Sequence, residues 1–138
     1  MDMTAFHTRG RANEGLKMPL VTPDGKQSEH WLRICGIDSD AFRATDARIK
    51  RQMLESIEQY KGADLDAVHQ DLKRELIASL VTEWSFDAPC TPQAVAEFFR
   101  EAPQIMDAVD RFASRRSLFF ASAPGSSAPT QSTNSAST

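Results

Sequence analysis

The strongest periodic pattern in the chain lies in residues 64–84, which read DLDAVHQDLKRELIASLVTEW. Apolar residues recur there at intervals of three and four, the spacing that places side chains on one face of an α-helix. They are Leu65, Val68, Leu72, Leu76 and Leu80, with Ile77, Val81 and Trp84 widening the same face. The pattern therefore predicts a helix that opens at Asp64 and continues through Trp84.

A second helix is predicted upstream of this segment. Asp38 can accept hydrogen bonds from the free amides of a helix start, and Ile37 and Phe42 have the spacing of a hydrophobic staple. The apolar positions that follow at helical spacing are Phe42, Ile49, Met53 and Ile57. Gly62 is of the residue type that most often follows a helix end, so we expect this helix to run from Asp38 to just before Gly62.

Two shorter helices are predicted downstream. Pro89 interrupts the helical pattern after Trp84, so residues 85–90 are expected to form a loop. Thr91-Pro92 then supplies an N-cap followed by proline at the first helical position. The apolar residues of these two helices are Val95, Phe98 and Phe99 in the first and Ile105, Met106, Val109, Phe112 and Ala113 in the second. Pro103 begins the second one, and a sharp bend is expected between them.

Short apolar runs near the N-terminus predict a β-hairpin. Residues 16–21 and 29–35 flank Thr22-Pro23-Asp24-Gly25, in which proline and glycine favour chain reversal. The expected fold is thus mainly α, with about four helices in a small bundle and a short N-terminal β-hairpin. Residues 16–120 would form this domain.

Both ends differ from the predicted domain in composition. Residues 1–15 mix glycine with charge and show no periodicity, so we expect a flexible N-terminal arm. Residues 121–138 are rich in Ser, Thr and Ala and carry no charge. Such a segment buries too little apolar surface to offset the entropy of ordering, and a disordered tail is predicted.

Composition argues against several functional classes. Lys and Arg number 16 against 19 Asp and Glu, so no global positive field favours nucleic acid as the main partner. The two cysteines and three histidines show no metal-ligand spacing, and no nucleophile motif is present. We expect no catalytic residue, metal or cofactor, and the histidines are interpreted as solvated or structural. Without an apolar leader or spanning segment, the protein is expected to be soluble and intracellular, with no membrane partner.

Three aromatic and basic features leave alternatives open. Trp84 and Phe86 suit either the core or an interface. Arg111, Arg115 and Arg116 either complement a helix C-terminus or grip an acidic partner. Phe119-Phe120 either fold back on the core or form part of a contact patch. Because a small helical core is marginal in stability, self-association or partner binding is expected.

The chain resembles the tail assembly chaperones of long-tailed bacteriophages. In residues 78–120, the resemblance rests on an apolar helix running into Trp84, Cys90-Thr91-Pro92, Val95, Phe98-Phe99, Pro103-Gln104-Ile105, Asp110 and Arg116 ahead of Phe119-Phe120. The front half agrees through Thr22-Pro23-Asp24-Gly25, Trp31 and the run from Gly36 to Arg43. The resemblance covers residues 16–120.

This resemblance implies a non-enzymatic protein that acts in the infected host's cytoplasm and is absent from the mature virion. Its partners would be the tape measure protein, which it coats and keeps soluble, and the tail tube protein, which it recruits during tail assembly. The residues that we predict to contact a partner are Trp84, Phe86, Phe98, Phe99, Met106, Arg115, Arg116, Phe119 and Phe120. The alternative is a small helical regulatory or connector protein that contacts nucleic acid or another protein through its C-terminal arginines.

Overall fold

The β-hairpin predicted near the N-terminus is present and belongs to a larger sheet. The computed structural model describes residues 2–120. Strands β1 (Leu16–Val21) and β2 (Gln27–Ile34) pair antiparallel across a turn in which Gly25 has a φ of 87°. A third strand, β3 (Val81–Trp84), pairs antiparallel with β2, so the strand order is β1-β2-β3. The prediction of a hairpin alone was therefore incomplete.

The described chain is mainly helical, as predicted. Its α-helices are α1 (Arg9–Glu14), α2 (Asp40–Gln59), α3 (Gly62–Ala78), α4 (Pro92–Glu101) and α5 (Pro103–Ser114), with short 3₁₀ turns at Met3–Phe6 and Arg116–Leu118. Residues 2–120 thus contain five α-helices where about four were predicted, and the additional one is α1. The predicted tail, residues 121–138, lies outside the described residues.

The long helix predicted over residues 64–84 is wrong beyond Ala78. The chain turns after α3, and the Leu80 carbonyl accepts a hydrogen bond from the Cys35 amide at 2.8 Å. Leu80 and Val81 then bury their side chains in the core as β3 begins. Because a short apolar run suits a buried strand as well as a helix, pairing with β2 decides the conformation here.

The boundaries of α2 also differ from the prediction. Ser39, rather than Asp38, caps the helix, since its Oγ accepts a hydrogen bond from the Phe42 amide at 3.3 Å. The predicted stop at Gly62 is wrong, because α2 already ends at Gln59 and Gly62 begins α3.

The starts of the two downstream helices are confirmed. Thr91 Oγ1 accepts a hydrogen bond from the Ala94 amide at 3.1 Å, and Pro92 occupies the first position of α4. Pro103 begins α5 directly after Ala102, whose φ of −132° and ψ of 67° are not helical. The chain therefore bends between α4 and α5 as proline chemistry requires.

The core lies between the sheet and α3, α4 and α5. The buried strand residues are Met18, Leu20, Leu32, Ile34 and Val81. The helical residues that pack with them are Ile77, Ala78, Val95, Phe99, Ile105, Val109 and Ala113. In α2, by contrast, only Ile49 and Ser56 are buried, so this helix adds little to the core.

Helices α2 and α3 form an antiparallel hairpin. Arg48 Nη2 pairs with Glu75 Oε2 at 2.7 Å, and Ser56 Oγ lies 3.1 Å from His69 Nε2. The two helices therefore run antiparallel, with the part of α2 from Arg48 to Ser56 lying against α3 between His69 and Glu75.

The predicted arm, residues 1–15, contains α1 and contacts the rest of the domain. Ala12 is 1% exposed, and its carbonyl accepts a hydrogen bond from the Gly36 amide at 3.1 Å. Arg9 donates two hydrogen bonds of 2.7 Å to the carboxylate of Asp40 in α2. These contacts join α1 to the start of α2.

Candidate partner-binding site

The structure brings together three of the predicted contact residues, Trp84, Phe86 and Phe98. The ring centroids are 5.3 Å apart for Trp84 and Phe86, 6.0 Å for Trp84 and Phe98, and 5.3 Å for Phe86 and Phe98. Interplanar angles of 80°, 89° and 65° give the edge-to-face geometry that aromatic pairs favour. All three are half-buried and come from different elements, namely β3, the loop that follows it and α4. We call this set the aromatic cluster.

Hydrogen bonds to the backbone hold the aromatic cluster in place. Trp84 Nε1 donates to the Ala88 carbonyl at 2.7 Å, which closes the loop after β3. Ser85 Oγ accepts a hydrogen bond from the Trp31 amide at 2.9 Å, and the Ser85 amide donates to the Trp31 carbonyl at 3.1 Å. Because the rings are already fixed, a partner that contacts them would lose little free energy in ordering them.

His30 extends the aromatic cluster, although the sequence indicated nothing more than a solvated or structural histidine. Its ring centroid lies 4.6 Å from that of Phe86, and Nδ1 lies 3.0 Å from Ser85 Oγ. His30 precedes the buried Leu32 by two residues in β2, so both lie on the same face of the strand. The alternation of strand β2 places His30 on the same face as Leu32. The contact of His30 with the aromatic cluster, however, could be predicted only by knowing that β3 pairs with β2.

Two other predicted contact residues lie in or against the core. Phe99 is 1% exposed, although the ring of Phe98 beside it is half-buried. Met106 is half-buried and packs against the core residues. Phe99 is therefore not available to a partner in this fold, whereas Met106 keeps part of its side chain at the surface.

The predicted residues at the end of the domain separate into buried and exposed groups. Phe119 folds back onto the core, where it is 1% exposed and its ring lies 6.3 Å from that of Phe112. Phe120 remains 40% exposed, and Arg115 is exposed as well. Phe119 therefore folds back on the core, whereas Phe120 stays at the surface, where it could form part of a contact patch.

Arg116 is engaged within the chain. Its Nε and Nη2 donate to Asp38 Oδ2 and Oδ1 at 2.8 Å and 3.0 Å, and Thr8 Oγ1 donates to Oδ2 at 2.7 Å. The Arg116 hydrogen bonds hold the pKa of Asp38 below its usual range, against the opposing effect of partial burial. The Asp38 carboxylate thus largely balances the charge of Arg116. The C-terminal arginines therefore present less positive charge to an acidic partner.

A broad groove lies beside this ion pair. It has a volume of about 960 Å³ and is lined by residues 6–10 together with Asp38, Arg43, Arg116 and Phe120. Phe6, which is 72% exposed, and Phe120 line it together with Asp38 and Arg116, so the groove combines apolar and charged side chains. The groove is open to solvent and suits a shallow contact rather than an enclosed small molecule.

Within residues 2–120, few side chains that could take part in catalysis or metal binding lie close to one another. In residues 2–120 no group of three or more His, Cys, Asp or Glu could hold a metal ion. Burial raises the pKa of both Cys35 and Cys90, which disfavours the reactive thiolate. The contact between Ser56 and His69 lies between two helices, and the serine hydroxyl donates to a backbone carbonyl there. The feature best suited to recognition is therefore the aromatic cluster.

Comparison with known proteins gives no match to a family model, to a curated protein or to a solved structure. In the part of the chain that the structure describes, no helix has the length and apolar character needed to cross a bilayer.

Proposed function

We propose that this protein is a tail assembly chaperone of a long-tailed bacteriophage. It binds the tape measure protein, keeps that protein soluble in the host cytoplasm and recruits tail tube subunits, and it is left out of the mature virion. The observation that supports this proposal is the aromatic cluster, in which residues of β3, the following loop and α4 form one half-exposed surface.

The chemistry of the aromatic cluster suits a helical client. Long amphipathic helices are recognised through apolar side chains that meet large apolar surfaces on the receptor. Trp and Phe provide such surface, and tryptophan is enriched among the residues that dominate binding energy. The partly exposed Met106 can adapt to an irregular partner because its side chain is unbranched and polarizable.

Co-expression with the tape measure protein encoded in the same genome tests the proposal. We expect the wild-type chain to raise the soluble yield of that protein and to co-purify with it. Phe86→Ala should reduce the co-purified amount by about tenfold, since loss of a central aromatic contact commonly costs binding energy of that size. The matched control is Tyr60→Ala, which removes a ring that is 40% exposed and lies outside both the aromatic cluster and the groove.

Circular dichroism and thermal unfolding should show that both variants fold. Equal co-purification by wild type and Phe86→Ala would exclude the aromatic cluster as the client surface. No rise in soluble yield and no co-purification with wild type would count against the chaperone function itself.

The alternative of a regulator that contacts nucleic acid through its arginines is weaker on electrostatic grounds. Arg116 is paired with Asp38, and the whole chain has a net charge of −3. Retention on DNA that falls steeply as salt rises would favour this alternative, because phosphate contacts release counterions.

A further inference from the structure

Pro19 lies in β1, an outer strand of the sheet, and its backbone faces away from β2. The residue opposite Pro19 is Trp31, whose carbonyl accepts a hydrogen bond from the Ser85 amide at 3.1 Å on the β3 side. Opposite residues in an antiparallel pair either exchange both backbone hydrogen bonds or both point away from each other. Because Trp31 points toward β3, Pro19 directs its ring nitrogen and its carbonyl to the open side of β1.

The backbones of Lys17 and Val21 face the same way as that of Pro19. Lys17 precedes Pro19 by two residues without a shift of register, and the backbone direction alternates along a strand. The Thr22 amide donates to the Lys26 carbonyl across the hairpin at 2.8 Å, so Thr22 faces β2 and Val21 before it faces outward. All three residues are exposed, and no backbone group in residues 2–120 pairs with them on this side. We call Lys17, Pro19 and Val21 the β1 edge.

The β1 edge presents a row of backbone groups, and such a row is a template for another strand. Two β1 strands placed antiparallel about Pro19 would set Pro19 against Pro19 and each Lys17 against the other copy's Val21. Each of these pairs would exchange two hydrogen bonds if every residue had an amide hydrogen. Proline has none, so both central bonds are missing and the two rings meet in their place. The β1 edge is therefore interrupted at its centre.

We propose that Pro19 prevents the sheet from growing by pairing of β1 with the β1 strand of a second copy. Met18 and Leu20 are buried while their neighbours are exposed, so β1 has the regular alternation of a strand that pairs well. The other outer strand, β3, has four residues against six in β1, and the longer edge needs the block more. Within the sheet the proline removes no hydrogen bond, because its nitrogen faces away from β2.

Sedimentation equilibrium of the full chain over a concentration series tests this inference. Pro19→Val and Pro19→Thr each supply the missing amide, one with an apolar and one with a polar side chain. We expect both variants to dimerise at concentrations at least about tenfold lower than wild type, because the central pair gains its hydrogen bonds and loses the contact between rings. Hydrogen exchange should show that the Lys17 and Val21 amides become protected in the dimer.

The double variant Pro19→Val/Val21→Pro moves the proline to another outward-facing position. It interrupts the β1 edge again without removing a hydrogen bond to β2, so its association should return to within about threefold of wild type. Pro89→Val is the matched control, since it makes the same replacement at an exposed loop residue and should associate no more than wild type. All variants keep the bonds between β1 and β2, and circular dichroism should show that they fold.

Three results would overturn the inference. The first is that neither Pro19→Val nor Pro19→Thr associates up to about 1 mM. The second is equal association by Pro19→Val and by the double variant or Pro89→Val, since a valine side chain rather than the restored amide would then be responsible. The third is a dimer whose protected amides exclude Lys17 and Val21, which would place the contact elsewhere.

Discussion

Gly36 has no room for a side chain. A Cβ at this position would lie 2.8 Å from the Ala12 Cβ and 3.2 Å from the Phe119 Cγ. Both neighbours are 1% exposed, so neither can move aside into solvent. We expect Gly36→Ala to lower the free energy of unfolding by about 1–3 kcal/mol, measured by urea denaturation. Gly10→Ala is the control, because no atom lies within 4 Å of its added methyl group; an equal loss in both variants would contradict the packing explanation.

Adjacent aromatic residues show what the sequence can and cannot specify about the site. Phe98 and Phe99 differ by about 100° around the helix axis, so Phe99 is fully buried whereas Phe98 packs at the edge of the sheet against Trp84 and stays half-exposed. Residue type identified both as candidates, but the docking of α4 on the sheet decides which one a partner can reach. The same applies to Phe119 and Phe120, since one ring fills the space beside Gly36 and the other stays 40% exposed.

Local signals predicted elements well where one short segment contains the whole cause. The hairpin turn and the Thr91-Pro92 helix start are of this kind, and both are confirmed. Strand β3 was missed because its cause is distant: Leu32 pairs with Trp84, and Arg33 forms a 3.1 Å ion pair with Glu83. Residues 79–84 contain no local signal for pairing with β2. The spacing of their apolar residues instead continues the helical pattern of α3.

The cap of α4 provides a test at the scale of one element. Thr91 Oγ1 satisfies the Ala94 amide, which would otherwise lack a partner at the helix start. We expect Thr91→Ala to lower the free energy of unfolding by about 1 kcal/mol, and Thr91→Ser to have little effect because it keeps the accepting oxygen. Chemical denaturation of the three proteins measures the difference. A Thr91→Ser variant as unstable as Thr91→Ala would show that the hydroxyl is not responsible.

At the scale of the whole molecule, Asp38 connects segments that are far apart in sequence. Its carboxylate accepts hydrogen bonds from Thr8 near the N-terminus and from Arg116 at the end of the domain. Asp38 also lies directly before Ser39, the cap of α2. One side chain thus joins the predicted arm, the long helical hairpin and the C-terminal turn.

The stability of these connections should depend on pH with a definite sign. Hydrogen bonds from Arg116 lower the pKa of Asp38 in the folded state. A carboxylate of this kind adds stability above its unfolded pKa, about 3.9, and that stability is lost as the pH falls through the lower folded value. We expect Asp38→Asn to cost about 1 kcal/mol near neutral pH and to flatten the acid limb of stability below about pH 4, measured by urea unfolding across pH. Asp87→Asn, an exposed carboxylate outside these contacts, should retain the acid limb of wild type. If Asp38→Asn retained that limb too, the carboxylate would not be what joins the two ends of the domain.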